Sequence, residues 1–144
     1  MLFELANQND IVNIEKCGNE SLPLSYTEND IRTMLEDTQY KIFKIRHNES
    51  FVGFIITKLN EEEKNIHIMS IAIYQSYRGK SVGSKMIDLV KKTFPEENIT
   101  LYVQTTNKRA ISFYKKNDFL IMNTKKDYYH NLENNDAYTM IYLI

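Results

Sequence analysis

The chain has 144 residues, a formal net charge of −1 and one cysteine, Cys17. That length suits a single domain, residues 1–144, with a real core. The near-neutral charge leaves no footprint for nucleic acid. A lone cysteine excludes an internal disulfide framework, and no apolar run approaches the roughly 20 residues needed to cross a bilayer. The first ten residues, MLFELANQND, carry an acid early and no long apolar region, so no signal peptide is expected. The expectation is a cytoplasmic protein with neither nucleic acid nor membrane as partner.

Leu2 to Leu5 reads as a first strand. Asn9 or Asp10 can cap a helix to about Lys16, with Ile11, Ile14 and Cys17 facing in and Gly18 ending it. Ser21-Leu22-Pro23-Leu24-Ser25-Tyr26 reads as an extended loop, because proline biases the residue before it away from helix. Taken alone, such a loop is a hydrophobic plug under the next helix. Thr27-Glu28-Asn29-Asp30 resembles a capping box and opens a second helix with Ile31, Met34 and Leu35 on its inner face. Tyr40 to Arg46 and Phe51 to Leu59 read as strands joined by a turn at His47 to Ser50, with Gly53 marking a bulge. Asn60 to Lys64 is a charged turn.

The next stretch organises the rest. Ile66, Ile68, Ile71 and Ile73 make a buried-strand pattern that slips phase near Ser70. A turn from Tyr74 to Gly79 leads into a helix with Val82, Met86, Ile87, Val90 and Phe94 on one face. The first N–H groups of a helix lack internal partners and sit at the positive end of its dipole, so a phosphate fits there. Gly79, Ser81, Gly83 and Ser84 are small enough to let an anion approach, and Arg78 and Lys80 add positive charge. An ordinary strand–turn–helix joint explains the same spacing about equally well. Neither GxGxxG nor GxxxxGK[ST] occurs, which disfavours a dinucleotide or nucleoside-triphosphate site.

After a connection at Pro95 to Glu97, Ile99 to Gln104 reads as a strand parallel to the central one. Asn107 can cap a short helix to Lys116. Phe119 to Tyr129 reads as a strand, His130 to Asn135 as a polar loop and Ala137 to Leu143 as the last strand. The fold class expected is mixed α/β: a mostly antiparallel sheet of about seven strands with about four helices.

R-G-K-S-V-G (Arg78 to Gly83), after an apolar strand and before an amphipathic helix, resembles the acetyl-CoA pyrophosphate loop of the GNAT acetyltransferases, Q/R-x-x-G-x-G/A. Arg78 and Gly83 match that pattern, and Ser81 stands where glycine is usual. Asn107-x-x-Ala110-x-x-Phe113-Tyr114, continuing to Asp118-Phe119, resembles the family's second CoA-contacting helix, with Asp118 in place of its usual glycine. L-P-L-S-Y, I-M-S-I, Y-V-Q-T-T-N and T-K-K-D-Y-Y are similar, in order along about the whole chain, to the NatE or San type of N-alpha-acetyltransferase. The resemblance implies a GNAT fold with a splayed parallel pair at its centre. It also implies transfer of acetyl from acetyl-CoA to a protein N-terminus, without a metal.

By the same resemblance, the co-substrate is held by Ile71, Ala72 and Ile73 on the central strand, by the turn residues Arg78, Gly79, Lys80, Ser81, Val82, Gly83 and Ser84, and by Asn107, Tyr114 and Lys116. Leu22, Pro23, Leu24 and Met69 form the pocket for the first substrate side chain. Tyr26 faces Tyr128, Tyr129, His130 and Asn131 across the peptide. As a strand pair, Tyr128 and Tyr129 point one in and one out.

The NatE type relays the amine proton through water between a tyrosine on the central strand and a histidine on its neighbour. Here His67 and Tyr102 hold those positions, so the residue types are exchanged. His67 is expected to be the proton acceptor, Tyr102 to orient the water, and Tyr114 to stand by the leaving sulfur. Taken alone, a strand histidine is more often structural, and Tyr114 is a tyrosine packed on a sheet. The implied partners are protein or nascent-peptide N-termini, Met-starting ones favoured by the apolar pocket, and an auxiliary N-terminal acetyltransferase subunit. The alternatives are a GNAT enzyme acting on a small amine or on lysine, and a non-catalytic acyl-CoA-binding subunit.

Overall fold

The computed structural model describes residues 1–129 and 135–144. Seven strands form one mixed sheet: β1 (Leu2–Leu5), β2 (Tyr40–His47), β3 (Ser50–Asn60), β4 (Asn65–Ile73), β5 (Asn98–Gln104), β6 (Leu120–Lys125) and β7 (Ala137–Tyr142). Their spatial order is β1-β2-β3-β4-β5-β7-β6. Every neighbouring pair is antiparallel except β4 and β5, which are parallel and joined through a helix. The four helices are α1 (Ile11–Ser21), α2 (Glu28–Glu36), α3 (Val82–Thr93) and α4 (Lys108–Lys116).

Helices cover both faces of the sheet. Ile11, Ile14 and Cys17 of α1 and Ile31 and Met34 of α2 pack on Ile42, Phe54 and Ile56. Val82, Met86, Ile87 and Val90 of α3 pack on the other face, against Ile55, Ile66, Ile99 and Leu101. Successive strand residues point to opposite faces, so a strand covered on both sides reads as an unbroken apolar run. Val52 to Ile56 is such a run. Each fully buried aliphatic side chain contributes about 1.5–3 kcal/mol of transfer free energy.

Two irregularities open the sheet. The β3–β4 register steps from Ile56↔Ser70 to Thr57↔Ile68, so Met69 is an extra residue. This bulge is the phase slip expected near Ser70. The β4–β5 ladder runs only from Asn65↔Asn98 to Ile68↔Leu101, while β5 stays paired with β7 to Gln104. Beyond Ile68 the two central strands therefore splay. A second bulge skips Val52, beside the Gly53 expected to mark one.

The chain departs from its sequence reading at three places. Neither Asn9 nor Asp10 caps α1 with its side chain; Asn7 caps the short 3-10 turn Gln8–Asp10 that leads into it, accepting from Asn9 N at 2.9 Å. Gly18 does not end α1, which continues to Ser21. A Cβ on Gly18 would lie 3.3 Å from Ser25 Cβ and 3.6 Å from Phe54, so this glycine lets the helix sit close to the sheet. The strand expected over Phe119 to Tyr129 ends at Lys125, where a turn with Asp127 at φ 53° follows. Tyr128 and Tyr129 therefore belong to a loop, and strand parity does not govern them. The Thr27 capping box forms as expected, its hydroxyl accepting from Asp30 N and Asp30 accepting from Thr27 N.

Asp118 sits just past α4 at φ 72°. Its N–H donates to Lys115 O at 3.1 Å, and Phe119 N–H donates to Tyr114 O at 3.0 Å, a Schellman cap. That position favours glycine, because a left-handed L-residue costs roughly 1–2 kcal/mol. The Lys91–Asp118 ion pair, at 3.6 Å with the Asp118 side chain 78% exposed, offsets little of it. Asp118→Gly is expected to raise stability by up to about 1 kcal/mol, roughly 2–4 °C in thermal unfolding; a lowered midpoint would contradict this strain.

Candidate active site

The splay of β4 and β5 opens a cleft of about 570 Å³. Its base is His67, Ile68 and Met69 of β4 with Tyr102 and Val103 of β5. The loop between α1 and α2 supplies Leu22, Pro23, Leu24 and Tyr26 from one side. Tyr128 and Tyr129, from the turn after β6, come from the other. Asn107 and Tyr114 close the end nearest α4. The topology thus gathers side chains from five separate segments at the point where the sheet divides.

The His67 and Tyr102 rings lie 4.4 Å apart between centroids, and Tyr102 and Tyr128 lie 4.7 Å apart. Below them runs a buried polar chain. Asn65 Nδ2 donates to Thr100 Oγ1 at 2.7 Å, and His67 Nδ1 lies 2.8 Å from the same oxygen. Above them, Lys125 Nζ stands 4.5 Å from the centre of the Tyr102 ring and 5.9 Å from that of Tyr128. A hydrogen bond to Tyr102 raises the pKa of Lys125. Burial, and then the positive charges of Lys125 and Lys58, push the His67 pKa down to about 4. His67 is therefore neutral at physiological pH. Burial also raises Tyr26 and Tyr128, pushes Tyr129 up to about 12 and raises Tyr114 further. These phenols stay protonated near pH 7.

The start of α3 lies beside the splayed end of β4. Ser81 precedes the helix at φ 62° and its side chain makes no capping bond, so the first amides of the helix carry no side-chain partner from it. Gly79 takes φ 78° in open space. Gly83 serves packing instead: a Cβ there would come within 2.8 Å of Phe113 on α4. Arg78 Nε donates to Ile73 O at 3.1 Å, which ties this turn to the end of β4. Arg78 and Lys80 are exposed. Uncapped amides, a helix dipole and two cations make a fitting seat for a pyrophosphate.

The residues singled out in the sequence fall within the cleft, beside it or outside it. His67, Tyr102, Tyr114, Leu22, Pro23, Leu24, Tyr26, Met69, Ile71, Asn107, Tyr128 and Tyr129 all line the one cleft. Ala72 and Ile73 continue β4 beside it, and Arg78 to Ser84 form the adjoining turn and helix start. Lys116 lies at the far end of α4, outside the cleft lining. Asn107 caps α4 by accepting from Ala110 N at 3.2 Å. His130 and Asn131 lie outside the described residues. Among the described residues, no three metal-ligating side chains gather, and no helix is long and apolar enough to cross a membrane. Sequence reasoning missed Thr100, Asn65 and Lys125. Lys125 stood inside the T-K-K-D-Y-Y motif, but the other two depend on strand register.

With this geometry in view, the acetyltransferase (GNAT) family model matches residues 9–119. The chain belongs to the GNAT acetyltransferase family. It is 30% identical over 138 residues to N-alpha-acetyltransferase 50 of Danio rerio, covering 91% of this chain and 81% of that one. It is 28% identical over 138 residues to the probable N-acetyltransferase san of Drosophila melanogaster, covering 91% and 74%. Its structure resembles that of Arabidopsis thaliana Naa50 in complex with the bisubstrate analogue CoA-Ac-MVNAL, with a TM-score of 0.86 at 25% identity and 99% and 98% of the two chains covered. This GNAT protein is thus an acetyltransferase with N-alpha-acetyltransferase relatives.

The neutral His67 couples the site to stability. Its folded pKa, about 4, lies below the value near 6.5 expected in the unfolded chain. The stability this contributes is whole above about pH 6.5 and is lost as pH falls toward 4. In urea unfolding, lowering the pH from 7 to 5 is expected to cost the protein about 2 kcal/mol more than it costs the His67→Asn variant. Equal losses in the two proteins would show that His67 is not held neutral.

Proposed function

We propose that the chain transfers acetyl from acetyl-CoA to the free α-amine of protein N-termini, with Met-starting chains preferred. The acceptor end of the cleft is the observation that carries this reading. Leu22, Leu24 and Met69 give it an apolar floor, Tyr26 stands on one side and Tyr128 and Tyr129 on the other. No carboxylate is among the described lining residues, which counts against a small polycationic substrate. A floor of leucine and methionine suits an unbranched apolar first residue such as methionine. The Naa50 similarity supports the same direction, since that protein's analogue carries the peptide MVNAL.

Bound acetyl-CoA would supply an activated thioester. Its pyrophosphate is assigned to the first amides of α3, helped by Arg78, Lys80 and Ser81, and its arm to the splayed side of β4 at Ile71 to Ile73. Asn107 and Tyr114 are placed along that arm. A free α-amine has a pKa near 8 and is mostly protonated at pH 7. The amine must shed a proton, and the departing sulfur must gain one. A water held between His67 and Tyr102 is assigned the first task, carrying the proton toward solvent. Tyr114, kept protonated by burial, is assigned the sulfur side. The reading places the enzyme in the cytoplasm, where N-termini emerge, with an auxiliary subunit as its candidate partner.

A peptide panel with acetyl-CoA tests the reading. Met-Leu starts are expected to give a kcat/KM at least ~10-fold above Ser or acidic starts, the discrimination an apolar pocket of this kind supplies. Met-Lys starts are expected to lie between them. Faster turnover of spermidine, or of an internal lysine in an N-terminally blocked peptide, would contradict it.

A further inference from the structure

The buried pair Asn65 and Thr100 decides what His67 can do. Thr100 Oγ1 already accepts the Asn65 amide proton at 2.7 Å, and it lies 2.8 Å from His67 Nδ1. Thr100 is 7% exposed and Asn65 5%, so neither group turns to water. A threonine hydroxyl has one proton to give. With the Asn65 amide set so that Nδ2 meets Thr100 and Oδ1 stays unpartnered, Nδ1 of His67 is, among the described residues, the side-chain neighbour at hydrogen-bond distance left to take that proton. A buried hydroxyl left without an acceptor is costly, so Thr100 donates and Nδ1 accepts. In the neutral ring the proton then resides on Nε2.

We propose that Thr100, itself oriented by Asn65, is a positioning residue that locks His67 as the Nε2–H tautomer, so that His67 is a hydrogen-bond donor in the cleft and not its proton acceptor. This rests on the water-relay reading of the site and inverts the role expected for His67 from sequence. The groups facing the ring agree with it. Tyr102 packs at 4.4 Å, and the cations of Lys125, at the end of β6, and of Lys58, on the adjacent β3, bear on it. A third positive charge on the ring is disfavoured there, whereas a neutral N–H donor is not. Its N–H holds the water by donating to the oxygen. The amine proton passes through that water to solvent, and none is stored on His67. A neutral imidazole used as a fixed donor is a known catalytic arrangement when the surroundings keep the ring uncharged.

Nitrogen-15 NMR of the His67 ring reads the tautomer directly in the resting protein. The expected spectrum from pH 5.5 to 8 has a protonated Nε2 and a bare Nδ1. Thr100→Val is expected to mix the tautomers and Thr100→Ser to restore the single one. Kinetics give a second readout. Glutamine can place an N–H near the position of Nε2 but cannot act as a base. His67→Gln is therefore expected to keep kcat within ~10-fold of the parent, while His67→Ala, with the donor gone, loses about 10²–10³-fold. A protonated Nδ1, or a His67→Gln variant as inactive as His67→Ala, would overturn the proposal. Absence of any peptide turnover by the parent would instead sink the functional reading, leaving the ring spectrum to decide the tautomer.

Discussion

One extra residue in one strand shapes this molecule. Met69 breaks the register between β3 and β4, and the β4–β5 ladder stops one residue earlier, at Ile68↔Leu101. A sheet that stayed paired would bury its polar backbone in the ladder. Parting the two parallel strands instead leaves backbone facing a cleft, the circumstance in which an elongated polar ligand can complete the pairing. The helices hold the split open. α1 and α2 cover one face and α3 and α4 the other, so the divided strands are braced from both sides. The same parting brings His67 and Tyr102 to the fork, with their rings in contact.

The two positions where the chain lacks a glycine usual in the family pattern are both left-handed. Ser81 has φ 62° and Asp118 φ 72°. The backbone that glycine would adopt freely is therefore kept while the glycine is not. The cost, roughly 1–2 kcal/mol at each, is borne by well-packed neighbours: Val82 and Phe119 are almost fully buried beside them. Keeping this geometry at Ser81 turns its hydroxyl away from capping α3. The amides that a serine cap would have satisfied carry no partner from it, so backbone strain and the proposed anion seat share one turn.

Much of this was legible in the residues. The strand–turn–helix from Asn65 to Thr93 follows from a change of apolar period from two to 3.6. The helix starts at Thr27 and Asn107 follow from side chains that accept the helix's own amides. Other features depend on neighbours that sequence spacing does not disclose. Gly18 reads as a stop, but its role is set by the Phe54 ring against it. Tyr128 and Tyr129 read as strand residues because the turn at Asp127 lacks glycine and proline. The Asn65–Thr100–His67 chain requires the register of two parallel strands, and Lys125 requires β6 to end where it does. What escapes a sequence reading here is the part of the site that tunes it: the hydroxyl under the histidine and the cation above the tyrosine.

The central claim is that acetyl-CoA lies along the parted edge of β4 with its pyrophosphate on the start of α3. Titration of the nitrogen-15-labelled protein with acetyl-CoA, followed by amide resonances, tests it most directly. Saturable shifts concentrated at Ile71, Ile73, Val82, Gly83 and Ser84 are the result expected. Unmoved amides at those positions, with shifts elsewhere or none, would contradict the claim.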